Sequence, residues 1–253
     1  MTGERLHVRE WGDPAAPPLV YLHGLSSTGA QVRKLAQTRL QAFHVLAPDL
    51  RGHGESPKEP PWNIERIVDD VLGVAPASAP WIGLSFGGRI AIEVAARAPE
   101  RIERLVLLDP VPRLPPHVAY DMAEHTARPR TWTDADAAIR AQLPPDDEAV
   151  AELRANLVAE DGAWRWRYSA AAAAAMLGEL ARSVPRPSPL PTLLATGRDS
   201  YYLLDEERTA LQNAMGEQLE SVSVAAGHGV LWDAFDEVAD AVRTFLEDPR
   251  PER

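Results

Sequence analysis

The chain of 253 residues has no cysteine. That excludes disulfides, thiolate-bound metals, iron–sulfur clusters and cysteine nucleophiles, so covalent chemistry would need another side chain. Lysine is scarce too: 24 of the 26 basic residues are arginine, leaving only Lys34 and Lys58. Positive charge is in deficit overall, since 26 Lys and Arg against 37 Asp and Glu give a net charge of −11. A phosphate backbone selects the opposite balance, so nucleic acid is not an expected partner. Long apolar runs are also missing. None approaches the ~20 residues that span a bilayer, and Met1 to Val20 lacks the apolar core of a secretory signal. These absences make no membrane and a cytoplasmic location the expectation. What remains, 45% apolar and 25% charged residues, is average globular composition. At this length one large α/β domain with an insertion is expected.

Short apolar runs recur along the chain: Val20 to Leu22, Val45 to Ala47, Trp81 to Leu84, Leu105 to Leu108, Thr192 to Ala195 and Leu219 to Val224. Each is closed by turn or polar residues, and each reads as a strand of a parallel sheet buried on both faces. Helical patterns lie between them at Ile64 to Leu72, Gly88 to Ala98, Asp205 to Met215 and Leu231 to Leu246. Strand and helix therefore alternate, which predicts a mostly parallel sheet with helices on both faces and chemistry at the carboxyl ends of its strands. The alternation stops from Val111 to about Leu190, between two proline clusters, as expected of an insertion that leaves the sheet and returns.

Gly83-Leu84-Ser85-Phe86-Gly87 follows a predicted strand and opens a predicted helix. In that context a G-x-S-x-G match reads as a sharp strand-to-helix turn presenting the serine hydroxyl at a helix N-terminus. Serine needs a base, and Gly227-His228-Gly229, after the last strand, supplies a histidine that can reach it. The imidazole in turn needs a carboxylate to hold its second nitrogen, and Asp109 and Asp199 both end predicted strands. Chain order Ser, Asp, His fits either. Asp199 is favoured because it closes the strand just before the histidine's, whereas Asp109 is read as steering the chain into the insertion. His23-Gly24-Leu25 ends the first predicted strand, so the backbone N–H of Leu25, with that of Phe86, would face an oxyanion. His23 is read as fixing this loop. Asp49-Leu50-Arg51-Gly52-His53-Gly54-Glu55-Ser56 is read as a structural turn braced by an Asp/Arg pair.

Together these motifs resemble the α/β-hydrolase fold superfamily, of the serine esterase and lipase type, over essentially the whole chain. The resemblance implies a mostly parallel central sheet flanked by helices, with a core at residues 1–110 and 191–253. A small, mainly helical cap at 111–190 would be inserted before the penultimate strand. It implies Ser85 as nucleophile, His228 as base, Asp199 as acid, Leu25 and Phe86 as oxyanion donors, and no metal or cofactor. A small-molecule ester is the implied substrate, cleaved through an acyl-enzyme. A lactone, a thioester, a carbon–carbon bond or a non-catalytic ligand-binding role are the alternatives. Serine at the elbow, in place of aspartate, argues against dehalogenase and epoxide-hydrolase chemistry. Ser26, Trp132, Trp164, Tyr202 and Val230 are the expected pocket residues, with Trp166, Met176, Leu177 and Tyr201 as further candidates.

Overall fold

The computed structural model describes residues 5–128, 130–142 and 147–248. Nine strands are described: β1 (Val8–Trp11), β2 (Pro18–Leu22), β3 (His44–Pro48), β4 (Ala79–Leu84), β5 (Ile102–Leu108), β6 (Leu157–Glu160), β7 (Ala163–Trp166), β8 (Thr192–Gly197) and β9 (Leu219–Val224). Seven of them form one sheet in the order β1-β3-β2-β4-β5-β8-β9. Only β1 runs antiparallel to its neighbour, so the sheet is mostly parallel as expected. The edge strand β1 carries no continuous apolar run and gave no strand signal. The second short antiparallel pair, β6 with β7, lies in the region where helix was expected to dominate.

Successive residues of a strand point to opposite faces, and the sheet uses this to fill two cores. Val20, Leu22, Trp81, Leu105 and Leu107 meet helices α2 (Ile64–Leu72) and α3 (Phe86–Arg97) on one side. Leu19, Tyr21, Ile82, Val106 and Leu108 face the other side. There they meet α1 (Arg33–Thr38) and the C-terminal helix described below. Asn63 caps α2 by accepting a hydrogen bond from the Arg66 N–H at 3.1 Å, satisfying an amide that the first turn leaves unpaired.

Between β5 and β8 the chain forms α4 (Pro116–Thr126), α5 (Ala135–Arg140), α6 (Asp147–Ala155), the β6–β7 hairpin and α7 (Ala170–Glu179). Helix α4 packs along α7, and both share the apolar cluster beneath the sheet through Ala119, Ala172, Met176 and Leu177. The alanine-rich face of α7 permits this approach. Ala172 comes so near Gly52 that a Cβ at Gly52 would lie 2.5 Å from the Ala172 methyl. A separate small cluster holds α5 to the hairpin through Ala138, Ile139, Leu157 and Trp166. After β8 come α8 (Asp205–Met215), α9 (Val230–Asp233) and α10 (Phe235–Glu247). Helix α10 buries Val238, Val242 and Phe245, one stripe at helical spacing, against the second face. Each such side chain contributes on the order of 1.5–3 kcal/mol by leaving water.

Candidate active site

Ser85 is the single residue between β4 and α3, with φ 53° and ψ −116°. That conformation is costly for a non-glycine residue and persists only where its surroundings impose it. Here the Ser85 N–H donates to the Leu108 carbonyl at 3.0 Å, and the Ser85 carbonyl accepts from the N–H groups of Gly88 at 3.0 Å and Val111 at 3.1 Å. The flanking glycines are required by close approach. A Cβ at Gly87 would sit 2.2 Å from the Leu22 carbonyl oxygen, and one at Gly83 would sit 2.6 Å from the Gly87 oxygen.

His228 lies in the loop between β9 and α9. Its Nε2 is 2.8 Å from Ser85 Oγ and its Nδ1 is 2.5 Å from Asp109 Oδ2. An ionised carboxylate only accepts, so Nδ1 carries the hydrogen and Nε2 offers its lone pair to the serine hydroxyl. The carboxylate behind His228 is therefore Asp109, and the expectation of Asp199 is corrected. Asp109 directly follows β5, turns into the left-handed region at φ 37°, and is 1% exposed. Its Oδ1 accepts from the Gly197 N–H at 3.1 Å, and its Oδ2 also accepts from Ser200 Oγ at 2.5 Å. Asp199 lies two residues beyond β8 with an exposed side chain, and no hydrogen bond links it to the histidine.

The loop after β2 closes over the serine. A Cβ at Gly24 would be 3.5 Å from Ser85 Cβ and 3.9 Å from its hydroxyl oxygen. His23 fixes this loop: its Nε2 accepts from the Leu50 N–H at 2.9 Å, leaving Nδ1–H to donate to the Gly24 carbonyl at 2.7 Å. Burial, followed by the neighbouring His53, pulls the His23 pKa down to about 3, so it stays neutral. His53 contacts the Leu25 carbonyl at 2.5 Å and the Arg51 carbonyl at 3.1 Å. Its pKa is lowered, chiefly by burial and against both of those hydrogen bonds. Asp49 braces the same region, but its ion pair is with Arg9 of β1 at 3.0 Å, while Arg51 pairs with Asp70 of α2. Burial pushes the Asp49 carboxyl up, yet hydrogen bonds from Arg9 and the Glu55 N–H outweigh it and hold the group below the ordinary carboxylate range.

A cavity of about 730 Å³ opens on Ser85 and His228. Leu25, Ser26, Phe86, Tyr202 and Val230 line it, and so do Trp166 and Leu177. Tyr202 also lies against the imidazole, with ring centroids 4.4 Å apart. Trp132 and Trp164 do not line it. They pair backbone to backbone and pack in the small cluster of the inserted segment, and Trp132 instead lines a second cavity of about 690 Å³. Met176, on α7, is buried in the apolar cluster, and Tyr201 is exposed. Sequence reading missed Gln31, Glu152, Asn156 and Trp232, all in the cavity wall. None belongs to a motif, and they come from segments far apart in the chain.

Residues 17–149 match the family described as alpha/beta hydrolase fold. The chain belongs to that family. It is similar to the lipase LipV of Mycobacterium tuberculosis, 32% identical over 268 residues that cover 95% of this chain and 97% of the relative. The sn-1-specific diacylglycerol lipase of Mus musculus is 28% identical, over 93% of this chain and 82% of its own. Among solved structures, an E-2-(acetamidomethylene)succinate hydrolase superposes with a TM-score of 0.83 at 25% identity, covering 96% of this chain and 95% of its own. No helix among the described residues is long and apolar enough to cross a membrane.

Proposed function

We propose that the protein is a serine hydrolase that cleaves carboxylic esters through an acyl-enzyme. The observation that carries this reading is His228 held between Ser85 Oγ at 2.8 Å and Asp109 Oδ2 at 2.5 Å, at the wall of a large cavity. Ser85 Oγ attacks the acyl carbon while its proton passes to His228 Nε2, and Asp109 stabilises the imidazolium that forms. The N–H groups of Leu25 and Phe86 serve as donors to the tetrahedral oxyanion. Among the described residues no acceptor within the chain takes the Leu25 N–H. His228 then protonates the departing alcohol. Water, giving its proton to His228, attacks the acyl carbon, and as the acyl–Oγ bond breaks His228 returns that proton to Ser85 Oγ, releasing the acid and the free serine.

The segment between β5 and β8 is the cap of this site. Its Leu114, Met122, Leu177 and Leu180 give one side of the cavity an apolar wall, suited to an aliphatic or aromatic part of the ester. Ser26, Ser27, Gln31 and Asn156 add polar groups to the lining. The family and the ester-cleaving names of its relatives support the same chemistry. Hydrolysis of p-nitrophenyl butyrate tests it. Ser85→Ala is expected to lower kcat by about 10⁴-fold or more, and a fluorophosphonate probe should label the parent but not the variant. Survival of the full rate in Ser85→Ala would exclude the mechanism. Comparing esters with lactones and acyl thioesters then ranks the substrate classes.

A further inference from the structure

One carboxyl in the cavity wall has no place in this mechanism. Glu152, on α6 of the inserted segment, collects hydrogen bonds from three side chains in two separate parts of the core. Trp232 Nε1 donates to its Oε2 at 2.8 Å. Ser27 and Gln31, on the loop after β2, also hydrogen-bond to it. Gln31 is itself a relay. Its Oε1 accepts from the Gly24 N–H at 3.2 Å and from the Tyr21 hydroxyl at 3.1 Å, which leaves its amide N–H to face Glu152. Trp232 stands four residues after His228, and Gly24 adjoins Leu25. One turn further along, Asn156 donates to the Ser26 carbonyl at 2.6 Å, so the inserted segment grips this loop twice.

We infer that Glu152 is a positioning residue which ties the inserted segment to both the Gly24–Leu25 loop and the His228 loop, so that the site is assembled only while that segment is seated. The inference rests on the reading of Ser85 and His228 as the reacting pair. Every partner donates to the carboxyl, yet those bonds offset only part of the cost of burying it ionised. Burial pushes the Glu152 carboxyl up to about 7, against the downward pull of its bonds to Trp232, Gln31 and Ser27. Arg33 is the cation that faces it, and Tyr21 faces it from β2. Across the same cavity stand His228 and Asp233, and the latter accepts from the Gly227 N–H. A carboxyl harder to ionise when buried here than when free makes the anchor loosen as pH rises through neutrality.

Two measurements test this. In the parent, the Trp232 indole N–H resonance should move with pH about a midpoint near 7, and in Glu152→Gln it should not move. This readout needs no catalysis, so it stands or falls apart from the serine mechanism. In ester turnover, the parent's kcat should decline as pH rises past about 7, and Glu152→Gln should lack that decline. At pH 6 Glu152→Ala and Trp232→Phe should each lower kcat by about tenfold, as loss of the anchoring bond implies, with KM within about twofold, and Glu152→Gln should stay near the parent. A parent indole resonance that ignores pH, or a Glu152→Ala enzyme with the parent's kcat at pH 6, overturns the inference.

Discussion

Two aspartates stand at the ends of neighbouring strands, and the side chain of only one reaches the imidazole. Replacing Asp109 with Asn would offer Nδ1 an amide and favour the wrong tautomer, so kcat is expected to fall about 10³-fold or more with the fold intact. Asp199→Asn should leave ester turnover within about twofold, since its side chain is exposed and takes no part in the network. Steady-state hydrolysis by the two variants checks both statements, and the reverse ranking would return the role to Asp199. The chain order of Ser85, an aspartate and His228 was legible but fits either candidate. What decides between them is the left-handed turn at Asp109 and the donors Gly197 and Ser200 aimed at it, and neither is written in local sequence. Glu152 was less legible still. It is one carboxylate on a short helix, and its indole partner lies 80 residues away.

At the scale of elements, the strand-to-helix turn concentrates its demands on a few atoms. Gly87→Ala places a methyl 2.2 Å from the Leu22 carbonyl, in the strand that leads to the Gly24–Leu25 loop. Backbone on both sides must move, so a loss of about 3 kcal/mol or more is expected, together with most of the activity. Chemical denaturation of the variant measures the first and ester turnover the second. By contrast Asn63→Ala removes one cap from α2 and should cost about 1 kcal/mol with turnover unchanged. Elements buried on both faces announced themselves, because β2, β4, β5 and β8 must be apolar at nearly every position. The edge strand β1 and the β6–β7 hairpin did not. They are four-residue pieces that interleave Arg or Glu with their apolar residues, and sheet pairing rather than local pattern defines them.

The whole molecule carries buried titratable groups whose effects on stability oppose one another. His23 has an ordinary value of 6.5 unfolded and about 3 folded, so the unfolded chain binds the extra proton. Its contribution is complete above pH 6.5 and fades as pH falls toward 3, by at most about 5 kcal/mol. His53, also lowered by burial, acts in the same direction. Glu152 acts in reverse. Its value rises from 4.5 unfolded to about 7 folded, so the folded protein binds the extra proton and loses stability as pH rises between those values, by at most about 3 kcal/mol. Between pH 5 and 6.5 the Glu152 slope offsets part of that of the two histidines, so the parent's stability should rise only gently with pH there. Glu152→Gln removes the opposing slope. The variant should be more stable than the parent at pH 8, and its stability should fall more steeply below pH 6.5, by up to about 1.4 kcal/mol per pH unit relative to the parent. Urea denaturation at pH 5, 6, 7 and 8 reads both effects. Stabilisation by Glu152→Gln at pH 8, where the parent's carboxyl is ionised, marks an anchor that ionisation loosens, whereas a carboxyl whose charge held the fold would show the reverse. Identical pH slopes for parent and variant would mean that Glu152 titrates alike in the folded and unfolded chain, and a pH-dependent anchor would then have no basis.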